Sequence, residues 1–144
     1  MHYTLCWLTL FTRVIVGLQF GMAAVNKVFV MTPRVHAEQF FTTAYADTWI
    51  PQWMLWVTGY SIPYIELLGG FMLVAGLLRR PVSIVLGFVL LLVTYGHLLK
   101  VPLYDIQANI FTRTLLMIPT WVFAVEHDPW CADGLLRLWK TRRT

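Results

Sequence analysis

Residues 53–78 read WMLWVTGYSIPYIELLGGFMLVAGLL, and the run stops at Arg79, Arg80 and Pro81. As a helix rising 1.5 Å per residue, a stretch of this length crosses the ~30 Å hydrocarbon layer of a bilayer. Inside that layer no water is present to satisfy open backbone groups, so the segment has to be helical. A basic pair followed by proline then ends the span at the membrane surface.

Working outward, residues 82–99 are an almost unbroken run of Leu, Val and Ile, and residues 5–28 form a comparable run before the first. A fourth, at about 106–125, ends at Glu126, His127, Asp128 and Pro129. The pattern predicts an all-α integral membrane four-helix bundle with up-down topology. Composition agrees: of 144 residues, 58% are hydrophobic and only 12% charged, far from the balance of a soluble domain. Spans of ~20 residues leave short loops and no separate soluble domain, so any chemistry sits in or beside the bilayer. We find no internal repeat or low-complexity tract.

Two shorter segments read as interfacial helices. Thr32 and Pro33 look like a helix start, and Ala37, Phe40, Phe41, Ala44 and Tyr45 recur on one face, giving a helix over about 33–46. Near the end, Leu135, Leu136, Leu138 and Trp139 interleave with Arg137, Lys140, Arg142 and Arg143, a basic interfacial helix over about 133–142. Arg79, Arg80 and that last group outnumber Lys27, Arg34 and Lys100 on the other side, which predicts both termini on the cytoplasmic side of a cell (inner) membrane. The first span lacks a basic leader and exceeds signal-peptide length, so it reads as retained. The net charge of +4 accompanies seven tryptophans and long apolar runs, which point to anionic lipid and away from nucleic acid. Cys6 and Cys131 form no C-x-x-C pair and read as structural thiols.

Charges at membrane depth are costly and usually face the protein interior, which singles out Arg13, Glu66, His97 and Arg113. Arg13, Gly17, Phe20, Ala24 and Lys27 share one stripe of the first helix. Counted from the span ends, Arg13 and Glu66 lie at equal depth, which allows an ion pair that either locks two helices or floors a head-group site. His97 and Lys100, with Tyr104, Asp105, Asn109 and Arg113, form a second polar group that Asn26 and Lys27 approach. A quinone or quinol needs hydrogen-bond donors beside a titrating group, so Arg13, Lys27, Glu66, His97 and Arg113 are its candidate ligands. The alternative for His97 is a hydrogen-bonded residue at a helix end. Haem is not expected, because only His97 lies within a span, with His2, His36 and His127 at edges or in loops. No flavin motif or metal cluster is read. Gly17, Gly69, Gly70 and Gly76 are read as close-packing surfaces, and Pro63 and Pro119 as kinks.

Arg13, Gly17, Phe20, Asn26 and Lys27, followed by Pro63, Glu66, Gly69, Gly70, Leu73, Gly76 and Arg79, resemble the pattern of the DoxX family over nearly the whole chain. The resemblance implies a small four-helix membrane protein. It also implies kinship with the membrane subunit of an archaeal thiosulfate:quinone oxidoreductase and with subunits associated with a terminal quinol oxidase, hence a quinone-linked role. Two functions follow as expectations. One is a quinone-interacting subunit of a redox complex, fed with electrons by a membrane protein partner. The other is a non-catalytic accessory or assembly subunit, acting through a partner or as a homo-oligomer. Whether the chain itself catalyses a step is left open between them.

Overall fold

The structure, a computed structural model, describes residues 2–100, 112–122 and 132. Helix α1 runs His2–Val25 and continues through a wider π-helical turn, Asn26–Val30. The short α2, Pro33–Ala37, and a second π-helical turn, Glu38–Thr42, lead to α3 at Gln52–Ala75, α4 at Arg79–Lys100 and α5 at Thr112–Val122. The expected fourth span is thus described only over α5. The expected helix at 133–142, together with Tyr104, Asp105, Asn109, Cys131 and the polar cluster from Glu126, lies outside the described residues.

Three segments are long and apolar enough to cross a membrane: Thr4–Val30, Gln52–Ala75 and Arg79–Lys100. Less than half of each is buried within the protein, which leaves outward apolar faces such as Phe11, Met22, Leu68 and Phe88 to the lipid. The inward faces form a core of Val16, Phe20, Leu73, Val82, Leu86, Leu90 and Met117, contributed by α1, α3, α4 and α5. This is an all-α membrane bundle.

The closest approach is between α1 and α3, which run antiparallel. A methyl group added at Gly17 would stand 2.7 Å from the Gly70 carbonyl oxygen, and one at Gly70 would stand 2.8 Å from the Gly17 oxygen. Absent side chains therefore let the two backbones touch. Gly69 faces the Leu86 side chain on α4 instead. Gly76 has another role from the expected one. It adopts φ 71° and ends α3, its N–H donating to Leu73 O, while Leu77 N–H reaches back to Met72 O. This is the left-handed C-terminal cap that glycine takes at least cost. The second span accordingly stops at Ala75, short of the expected 78.

Helix α2 starts where the sequence predicts. Thr32 accepts a hydrogen bond from Val35 N–H on its hydroxyl, and Pro33 takes the first helical position. The segment packs across the first turns of α3. Gly59 makes this possible: a methyl there would stand 2.7 Å from the Phe41 ring and 2.9 Å from Ala37 Cα. Tyr45, further along, reaches α4, and a methyl at Gly96 would lie 3.0 Å from its hydroxyl. The connection between α1 and α3 is therefore folded onto the bundle and bridges two helices.

Candidate functional site

The Gly17–Gly70 contact fixes the register of α1 on α3, and that register overturns the expected Arg13–Glu66 pair. Because Gly70 sits between Gly17 and Gly21, this register sets Glu66 level with about Ala23, ten residues along α1 from Arg13, or ~15 Å. Lys27 falls within about one turn of Glu66 and takes the partner's place: Nζ stands 2.5 Å from Glu66 Oε2. Arg13, only 1% exposed, donates instead from Nη1 to the carbonyls of Leu73, at 2.8 Å, and Val74. Those carbonyls belong to the last turn of α3, where the regular i+4 ladder has run out, Leu73 O keeping only the capping N–H of Gly76, and the helix end carries partial negative charge. Arg13 is thus the capping cation of α3.

Lys27 owes its position to the π-helical turn, closed by Met31 N–H donating to Asn26 O at 2.9 Å. An extra residue per turn turns the chain relative to a regular helix, and such turns recur at functional sites. The Lys27–Glu66 pair sits in the wall of a partly open cavity of about 720 Å³ lined by α1, the α2 segment, α3, α4 and α5. Its walls are mainly apolar and aromatic, including Phe20, Phe40, Phe41, Ile62 and Val89. Four of the five candidate residues, Lys27, Glu66, His97 and Arg113, line this one space, as does Asn26. Arg13 does not.

His97 lies on α4, and its Nδ1–H donates to Val93 O one turn back at 2.8 Å. Arg113, on α5, lays its guanidinium over the Phe20 ring at 5.2 Å from the centroid. Lys100 does not line the cavity.

Two further polar residues of the wall, His36 and Tyr45, were not singled out from sequence. His36, expected only at an edge or in a loop outside the spans, is 6% exposed, and its Nδ1–H donates to Gly59 O at 2.8 Å. The signal was present. His36 precedes Phe40 by one turn, so extending the apolar stripe backwards takes it in. Burial pushes the His36 imidazole below its ordinary pKa near 6.5, Lys27 adds to that, and the Gly59 hydrogen bond and Glu66 oppose it. The ring is therefore neutral at neutral pH, with its acceptor nitrogen Nε2 unprotonated. Burial likewise raises the Tyr45 hydroxyl and keeps it protonated.

The sign of the His36 shift carries a prediction. A group whose folded pKa is depressed binds its proton more readily when unfolded, so acid favours the unfolded chain. The wild-type melting temperature is expected to fall as pH drops below about 6.5. In His36→Asn, whose amide can keep the bond to Gly59 O without titrating, that part of the slope should vanish. Parallel slopes for the two proteins between pH 5 and 7.5 would show that His36 does not contribute.

The family model of DoxX matches residues 8–98, well over half the chain. The chain belongs to the DoxX family. The matched region runs from α1 almost to the end of α4 and includes Lys27, His36, Tyr45, Glu66 and His97, so most of the cavity wall is DoxX sequence. Arg113 lies beyond it. No curated protein and no solved structure matched this DoxX chain.

Proposed function

We propose that this DoxX protein is a quinone- or quinol-binding membrane subunit of a redox complex, exchanging electrons with a protein partner. The observation that carries the reading is a paired ammonium and carboxylate, beside a neutral imidazole, in the wall of an apolar cavity within a membrane bundle. The volume falls in the range of about 300–1,000 Å³ that small-molecule sites occupy. The walls suit an isoprenoid-bearing ring, and the polar groups are few and grouped, as orientation of a head group requires.

A bound quinone would supply two-electron, two-proton chemistry; the chain's own residues handle position and protons. Lys27 can donate to a carbonyl oxygen while Glu66 holds its ammonium in place. Glu66 can accept a proton from a hydroxyl, and Nε2 of His36 can accept another, because Nδ1 is committed to Gly59 O. His36 sits in the segment between α1 and α3, outside the spans, where proton exchange with water is shortest. In this reading the termini lie in the cytoplasm, as the distribution of basic residues favours.

The test is mass spectrometry of small molecules extracted from gently purified protein, beside an unrelated four-span control. A quinone enriched over the control and lost in Lys27→Ala and Glu66→Gln is the expected result. No enrichment over the control would overturn the proposal and shift the search to a stoichiometric partner recovered in mild detergent, as an accessory subunit requires.

A further inference from the structure

The charges around the cavity do not cancel. Lys27 and Glu66 neutralise each other, and burial keeps His36 uncharged. Arg113 is different. Among the described residues it makes no hydrogen bond and no ion pair, and its guanidinium lies against the face of the Phe20 ring.

Depth makes this costly. Phe20 is the seventeenth residue of the 27-residue segment Thr4–Val30, so the guanidinium lies near mid-span, ~15 Å from the Val30 end. An arginine at that depth is expensive to keep charged, and a ring face offsets only part of the expense. What the ring does provide is orientation. Phe20 is 1% exposed and fixed in the core, so the guanidinium stacked on it holds a defined plane, with N–H donors available along its edge.

A planar fork of donors in an apolar cavity matches a pair of neighbouring oxygens of which one or both carry negative charge. We infer that the cavity takes a lipid-soluble molecule bearing such an anionic oxygen pair, either a carboxylate or the enolate of a hydroxylated quinone, bound by Arg113 with its apolar body against the aromatic walls. The quinone form rests on the function proposed above; the carboxylate form does not. No electron or covalent step is involved, only ion pairing and desolvation. In this arrangement Arg113 selects the ligand, and the Lys27–Glu66 pair faces the remainder of its head group.

Matched pairs of ligands test this with the full-length protein in lipid nanodiscs. One pair is a long-chain hydroxynaphthoquinone and its methyl ether, at a pH where the hydroxyl is ionised. The other is a long-chain fatty acid and its methyl ester. Wild type is expected to bind the ionised member of at least one pair about tenfold or more tighter than the neutral member. Arg113→Gln should reduce that preference to about twofold or less with the neutral member's affinity unchanged, and Arg113→Lys should restore part of it.

Equal affinities within both pairs in wild type overturn the inference, as does a preference that survives Arg113→Gln. Tight binding of the quinone ether with no preference for the ionised member in either pair overturns it and leaves the quinone function standing. An Arg113-dependent preference for fatty acid, with neither quinone bound, supports it and overturns the quinone function. Because wild type is compared across each pair first, the inference can fail even if a variant does not fold.

Discussion

A Gly70→Val protein is expected to lose about 3 kcal/mol or more of stability, the upper end of what overpacking costs. The reason is what the new side chain meets. Its first carbon would stand 2.8 Å from both the Gly17 carbonyl oxygen and Gly21 Cα, and backbone cannot rotate away as a side chain can. Helices α1 and α3 would have to separate along their contact, pulling Lys27 from Glu66 at the same time. Gly69→Ala is the matched control. Its methyl would meet only the end of the Leu86 side chain, at 3.0 Å, and Leu86 can adjust, so the expected cost is under about 1 kcal/mol. Denaturation of both variants in mixed micelles, followed by circular dichroism, measures the difference. Equal stability of Gly70→Val and wild type would mean that the two backbones are not in contact.

The second large effect concerns the Lys27–Glu66 pair. Removing one member of a buried pair strands the other, typically at about 3–5 kcal/mol, whereas replacing both by apolar residues is often neutral. The two single changes should not be equal. Lys27→Met leaves a carboxylate whose side chain is 3% exposed, while Glu66→Leu leaves an ammonium that is 24% exposed and can turn towards water. Lys27→Met is therefore expected to cost about 3 kcal/mol, Glu66→Leu less, and the double variant to recover to within about 1 kcal/mol of wild type.

Ligand content of the double variant then separates two roles that stability alone cannot. A pair that only locks α1 to α3 would be replaceable without loss of ligand. A pair that orients a head group would not be: the double variant should fold and come out empty. A stable double variant that keeps its quinone would reduce the pair to a lock and remove it from the proposed chemistry.

Much of the architecture is a local property of the sequence. The apolar runs around Glu66 and His97 dictate membrane helices because hydrocarbon excludes any other backbone arrangement. Thr32 and Pro33 start α2 through bonds within one turn of themselves, and the small residues at Gly17, Gly69 and Gly70 announce close approach. Lys27, Glu66, His97 and Arg113 could be singled out because each breaks an apolar run, and a charge in lipid needs a reason wherever the chain goes.

Partners could not be read in the same way. Depth counted from span ends matched Arg13 with Glu66, but helices are not aligned by their ends. Direct contact of Gly17 and Gly21 with Gly70 sets the register, which hands Glu66 to Lys27 and leaves Arg13 to cap the α3 carbonyls. His36 joined the site only because Gly59 lets the connecting segment fold back onto α3, and Gly76 proved to be a cap through its left-handed φ. Hydropathy, caps and isolated charges depend on a residue and its near neighbours, so the sequence by itself determined the membrane helices and which side chains demanded an explanation. Register, the folded-back segment and the cavity depend on which backbones can touch, and only the tertiary structure decided those.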